Sequence, residues 1–382
     1  MANAVRVPIT NVVAGGDFTG EVTVGGTALH LLLDTGSSTL VVDGHRFDPS
    51  TAPDTQTTNL VQNVQYGVGG WMGAVVRSTV SPAATVSLPA TPVAVTYAES
   101  AGMFGGADGI LGLAYRALDL AYVLTVDTWA TRPAPAQIAG SPTIELAPYF
   151  TQLEEAGVVC NQFAFTVARA AVCLAADEPA RDPRNHGVLV LGGGREANDL
   201  YVGEFATVEV IHDLWYNTNL VAVQVGAQPP IAVAPLPAGD PLCSNSIVDS
   251  GTNCLVFEQR LFDAVLAAFG AIDPAFVTAL TTHAVGATAG LPHAQLELAR
   301  WPALTLTFQA PGGGVASLAI APEAYWQLDA ARRGEALAYL CGGGAALGAR
   351  SIFGLPLFVG RYTVFDRSQD GGRGVIEFAQ RA

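Results

Sequence analysis

The sequence contains no lysine: its 18 basic residues are all arginine, set against 33 acidic ones, for a formal net charge of −15. The arginines are scattered, so the basic footprint of a nucleic-acid-binding protein is missing, as is the basic face of a protein that sits on anionic lipid. Charge is sparse altogether. At 13% charged and 50% hydrophobic residues, this chain can fill large cores and does not have a disordered composition. Long apolar runs are missing too. No stretch reaches the roughly 18 uninterrupted apolar residues of a membrane span, because Gly, Pro, Thr and Asn divide the apolar segments into short, strand-like pieces. Cysteine is scarce and odd in number. Cys160, Cys173, Cys243, Cys254 and Cys341 do not form a disulfide framework and include no CxxC. Reduced core thiols are expected, with one bridge such as Cys160–Cys173 left open. The six histidines show no metal-binding spacing, and there is no G-x-S-x-G nucleophile motif. Neither a metal nor a cofactor is expected. Residues 1–11 lack the charged start and apolar stretch of a signal peptide, so a cytoplasmic location is expected if Met1 is the natural start.

What is present is a duplication. Leu32-Leu33-Asp34-Thr35-Gly36-Ser37-Ser38-Thr39-Leu40-Val41-Val42 returns 215 positions later (249 − 34) as Ile247-Val248-Asp249-Ser250-Gly251-Thr252-Asn253-Cys254-Leu255-Val256-Phe257. Both copies read as an apolar pair, Asp, a hydroxyl residue, Gly, a second hydroxyl residue, two spacers and an apolar strand. Each is followed later by a strand ending in Gly, Gly109-Ile110-Leu111-Gly112-Leu113 after the first and Ser351-Ile352-Phe353-Gly354-Leu355 after the second. A repeat this long describes two related domains, not a solenoid. One DTGS alone is an ordinary turn or helix cap. Two copies in matching contexts are harder to dismiss.

Each Asp stands at the end of a buried strand, where a carboxylate is costly unless hydrogen-bonded. Gly36 and Gly251 are expected to supply backbone conformations that other residues resist. If the two turns meet about a pseudo-twofold axis, their carboxyls face each other and cannot both ionise freely, so one proton is shared. One carboxylate can then activate a water while its protonated partner polarises a carbonyl.

These residues resemble the pepsin family of two-lobed aspartic peptidases, over nearly the whole chain. Further matching segments are Gln65-Tyr66-Gly67-Val68-Gly69 at the family's flap, Ala107 to Tyr115, Gly187 to Gly193, Trp215 to Val225, and Tyr362-Thr363-Val364-Phe365-Asp366-Arg367. The resemblance implies a mainly β, bilobal fold with two pseudo-twofold-related β lobes and a shared central sheet. It places the N-terminal lobe at 1–170 and the C-terminal lobe at 171–382. Asp34 and Asp249 would be the catalytic pair. Ser37 and Thr252 would bond the outer carboxylate oxygens, Thr35 and Ser250 would tie the turns together, and Gly36 and Gly251 would donate N–H groups. Tyr66, Gly67, Val68 and Gly69 would belong to the mobile flap, between strands read at 59–65 and 71–79. The implied reaction is endopeptidase cleavage at acid pH beside hydrophobic residues of an extended peptide, by a monomer sensitive to statine-type inhibitors. Its main competitor is a non-catalytic peptide-binding homologue.

The pattern departs from the family at Val41, where a tryptophan usually bonds the flap tyrosine, so Tyr66 is expected to lack that partner. Only 33 residues precede Asp34, so no prosegment is expected, which resembles the bacterial members of the family. A nucleotide fingerprint is formally present in Gly192-Gly193-Gly194-Arg195-Glu196-Ala197. It would need a following helix within a βαβ unit, whereas residues 205–211 read as strand. Helices are expected at 147–156 and 259–269.

Overall fold

The computed structural model describes residues 4–67, 69–344 and 347–382. With 43% strand and 18% helix, the chain is mostly β. Its strands follow from alternation. Val5–Ala14 buries Val5, Val7 and Ile9 and exposes the residues between them, the period-two pattern of a sheet with one covered face.

Among the described residues the largest sheet has 15 strands. Its N-terminal part carries the long hairpin of Gln56–Gln65 and Gly70–Ala83, which turns at the predicted flap. Its other part runs through Val5–Ala14, His186–Leu191, Gln162–Val167, Arg361–Asp366, Val375–Arg381 and Tyr201–Glu209. This is the predicted shared sheet, since it pairs strands from both ends of the chain. Aromatic side chains pack beneath it, with Phe163 stacked on Phe365 at 4.8 Å between ring centroids and Tyr216 edge-on to Phe365 at 4.5 Å. The C-terminal half adds sheets of five, four and three strands.

The predicted helices occur as Tyr149–Glu155 and Gln259–Ile272. A third helix, Pro274–Thr282, follows directly, with the Asp273 side chain accepting from Ala275 N and Pro274 in the first turn. No helix follows Gly192-Gly193-Gly194. Gly192 turns at φ 74°, and the next regular element is the strand Tyr201–Glu209. All five cysteines are free. Cys160 is exposed and Cys173 buried beside Arg184, so the bridge left open between them does not form. The close thiol pair is instead Cys254 and Cys341, with sulfurs 3.5 Å apart. No helix among the described residues is long and apolar enough to cross a membrane.

Candidate active site

Asp34 ends the strand Thr27–Asp34, which runs parallel to Gly109–Gly112 with Leu32 opposite Ile110. After the turn the chain returns as Leu40–Val42 on the other side of the same strand, now antiparallel to it. The second half repeats this topology. Ser246–Val248 runs parallel to Ser351–Phe353, Asp249 follows, and Leu255–Phe257 returns antiparallel on the far side. The strand-ending glycines have a steric reason to be conserved in type between the halves: a Cβ on Gly112 would lie 2.4 Å from the carbonyl carbon of Ser38, and one on Gly354 would lie 2.0 Å from Thr252 O. Backbone bonds then hold each turn, Leu113 N to Asp34 O at 2.8 Å and Leu355 N to Thr252 O at 2.8 Å.

The two turns interlock through side chains. Thr35 Oγ1 donates to Val248 O at 3.0 Å and accepts from Ser250 N at 2.9 Å. Ser250 Oγ reciprocates, donating to Leu33 O at 2.8 Å and accepting from Thr35 N at 3.1 Å. Each hydroxyl serves as donor and acceptor at once, and both are buried, so the polar groups of the junction leave no unpaired cost.

Within each turn the Asp is held by its own neighbours. Asp34 Oδ1 accepts from Gly36 N at 2.7 Å and Oδ2 from Ser37 Oγ at 2.5 Å. Asp249 Oδ1 accepts from Gly251 N at 2.9 Å and Oδ2 from Thr252 Oγ1 at 2.7 Å. The reason for glycine differs from the one expected. Neither Gly36 nor Gly251 has positive φ. Each is required by room, because a Cβ on Gly36 would lie 2.6 Å from Asp249 Oδ1 and one on Gly251 would lie 2.5 Å from Asp34 Oδ1. The glycine of each turn is thus pressed against the carboxylate of the other.

Both carboxyls are buried. Burial pushes the Asp34 carboxyl well above the usual carboxylate range. The negative charge of Asp249 and a side-chain hydrogen bond with it push the same way, against the Ser37 and Gly36 bonds. The carboxyls therefore form an interacting pair in which the protonated form of Asp34 is favoured.

The hairpin tip carries Tyr66, which packs against Leu32, Val41 and Ile110 beside the first turn. Tyr66 N donates to Gly69 O at 2.9 Å, and Gly69 has φ 74°, a conformation suited to glycine in a tight turn. Gly67 is exposed. Val68, assigned to the flap from sequence, lies outside the described residues. Tyr66 does have a hydroxyl partner, contrary to expectation. Trp71, on the return strand of the same hairpin, donates from Nε1 to Tyr66 Oη at 3.3 Å. Its indole is fully buried and packs in one cluster with Val41, Phe104 and Ile110. The small side chain at 41 and the indole at 71 thus share the space beside Tyr66. The Tyr66 hydroxyl is raised by burial and by the neighbouring Asp34 carboxyl. Trp71 thus holds the Tyr66 hydroxyl, and Ser37 separately holds Asp34.

Two further acids escaped sequence reasoning. Asp119 is buried, accepting at Oδ1 from Gln62 Nε2 at 2.7 Å and Thr39 Oγ1 at 2.9 Å, and so joins the base of the flap to the first turn. Burial pushes it up to about 6, against those two bonds. Asp17 is pushed up to about 7, first by burial and then by the charge of Asp249. Away from the cleft, ligand-type atoms of Asp43, His45 and Glu99 lie within 4.8 Å of one another. That surface trio is exposed or half-buried, and the Asp43–His45 hydrogen bond at 3.0 Å accounts for its closest approach.

Comparison with known families agrees with this geometry. The family model for the eukaryotic aspartyl proteases matches residues 17–281, more than half of the chain, and its span includes both aspartates.

Proposed function

The chain belongs to the eukaryotic aspartyl protease family, and from that premise we propose that it is an aspartic endopeptidase whose reacting groups are Asp34 and Asp249. The observation that carries this reading is the pair of duplicated turns, interlocked through Thr35 and Ser250, with each glycine against the opposite carboxylate. In the reaction Asp249 takes a proton from water as the water oxygen bonds to the scissile carbonyl carbon, and Asp34 gives its proton to the carbonyl oxygen. The tetrahedral diol then collapses. The C–N bond breaks, the proton on Asp249 passes to the leaving nitrogen, and a diol proton returns to Asp34. No covalent intermediate forms. Loss of the Asp34 proton at rising pH then ends activity.

An extended peptide fits beneath the hairpin, with backbone hydrogen bonds for affinity. The apolar cluster around Tyr66, including Leu32, Trp71, Phe104 and Ile110, favours hydrophobic side chains next to the cut bond. The proposed division into lobes 1–170 and 171–382 draws on the two copies of the Asp topology, one on each side of it. The alternative of a peptide-binding homologue without catalysis drew on a Tyr66 without a partner, and Trp71 removes that support. The test is incubation with a diverse peptide library from pH 3 to 8, with and without a statine-type inhibitor. Cleavage on the acid side that the inhibitor blocks is expected; intact peptides at every pH would end the proposal.

Trp71 gives a second check. Trp71→Phe keeps a buried ring but removes the N–H. Losing one neutral hydrogen bond of about 1 kcal/mol should lower kcat/KM about fivefold. Because Trp71 acts through the Tyr66 hydroxyl, the same change in a Tyr66→Phe background should have almost no further effect. Additive losses in that double-mutant cycle would show that Trp71 only packs.

A further inference from the structure

Among the described residues, Arg169, Arg350 and Arg367 each bury two guanidinium nitrogens without a hydrogen-bond partner. A desolvated cation without a partner is costly, so each position needs a reason. Arg367 has one, because its guanidinium lies over Tyr115 at 4.4 Å and Nη2 donates to Thr151 Oγ1. Other half-buried contacts are paired conventionally, as in Arg46 with Asp108, Arg184 with Asp182 and Arg195 with Glu377.

Arg350 differs in its position. It stands just before the strand Ser351–Phe353, whose Ile352 pairs in parallel with Ile247. Partners in a parallel pair share a face, and so do residues two apart on one strand. Arg350, Ile352, Ile247 and Asp249 therefore lie on the same face of the sheet. Consistent with this, the charge of Asp249 acts on the Arg350 guanidinium, while burial opposes its charged form. The guanidinium is stacked over the half-buried Trp215 ring at 4.3 Å. Stacking covers one face of the planar group, and Nε and Nη1 are buried with their N–H donors unmet, a demand that a carboxylate brought against that edge would satisfy bidentately. Asp249, whose charge reaches that guanidinium, is itself already bonded to Gly251 N and Thr252 Oγ1.

We propose that Arg350, held flat on Trp215, is a specificity-determining residue that binds a carboxylate of the peptide substrate beside the Asp249 half of the cleft. This rests on the peptidase reading and adds to it a charged preference at one substrate position, among positions otherwise favouring apolar side chains. The carboxylate comes from a Glu or Asp side chain or from a free peptide C-terminus.

The test uses one cleavable peptide with Glu or Gln at each position in turn on both sides of the cut bond. A second pair ends in a free carboxylate or an amide. At one position the wild-type protein should favour the carboxylate by roughly tenfold or more in kcat/KM, the worth of a charge-assisted bond. Arg350→Met, which keeps a long side chain over Trp215, should bring that ratio to about 1, and Arg350→Lys should keep part of it. Preference in the Glu series identifies a side chain, and preference confined to the second pair identifies a terminus. No preference at any position in the wild type, or a ratio that survives in Arg350→Met while all peptides slow together, overturns the inference. If the wild-type protein cleaves nothing, the peptidase reading has failed. Trp215 fluorescence titration of the same peptides against wild type and Arg350→Met then decides whether the carboxylate is still recognised.

Discussion

Asp34→Asn and Asp249→Asn proteins should fold and bind a statine-type inhibitor measurably, yet cleave peptides about a thousandfold more slowly or worse. Asparagine has nearly the shape of aspartate, and its carbonyl oxygen can still accept from Gly36 N or Gly251 N. It cannot take up or release a proton at any working pH. On the proposed mechanism each carboxyl transfers a proton to or from the substrate, and general acid–base steps are worth about 10²–10⁴ in rate. The loss should appear in kcat and in kcat/KM together, because the missing step belongs to the transition state. The side chains that hold the pair set a further asymmetry. An amide NH₂ placed against Ser37 Oγ turns that hydroxyl from donor into acceptor and removes the bond it gives Asp34. Kinetics with a fluorogenic peptide, alongside thermal unfolding, check the prediction. Either variant retaining a tenth of wild-type activity would remove its aspartate from the mechanism.

The second large effect is on stability, and its sign follows from burial. Asp17 and Asp119 are pushed up to about 7 and about 6, and Asp34 is raised as well, with burial the largest cause in all three. In the unfolded chain an aspartate titrates near about 4. Between that value and the folded one, the folded state holds a proton that the unfolded state has released. Each such proton lowers stability by about 1.4 kcal/mol per pH unit of increase. The contribution of these groups is therefore whole below about pH 4 and is lost as pH rises from there, up to about 6 for Asp119 and about 7 for Asp17. Arginine-paired carboxylates work the other way. Arg184 holds Asp182 well below the usual range, so its contribution disappears only in strong acid. The melting temperature should peak on the acid side of neutrality and fall steadily toward pH 8. Asp119→Asn should flatten the fall between about pH 4 and 6. Calorimetry across pH 3 to 9 tests this; a melting temperature that climbs from pH 4 to 8 would contradict it.

Much of the architecture was legible in the sequence because it is written twice. The turns at Asp34 and Asp249 and the glycine-ended strands behind them carry residue types that chemistry restricts, at matching positions in both halves. What escaped notice depends on packing between distant residues. The bonds from Asp119 join it to Thr39 and Gln62, 80 and 57 positions away, and no local pattern marks that group. Trp71 reads as an ordinary strand aromatic until Val41 is seen to leave it room beside Tyr66. Gly36 and Gly251 were identified by residue type but given the wrong reason, because conformation can be inferred locally whereas the approach of a carboxylate from the other half cannot. The helix Pro274–Thr282 is a different matter. Its Asp-Pro start is a local signal of the kind that opens a helix.

The join between the halves also dictates an order of events during synthesis. Asp249 N bonds to Phe353 O, and the sheet uniting the halves has Arg361–Asp366 between Gln162–Val167 and Val375–Arg381. A nascent polypeptide in which both aspartates have left the ribosome still lacks the strand that positions the second and the segment that seals the sheet. Translation must proceed more than a hundred codons past Asp249 before the carboxyls can be brought face to face. Until then the growing chain carries two aspartates that cannot yet meet.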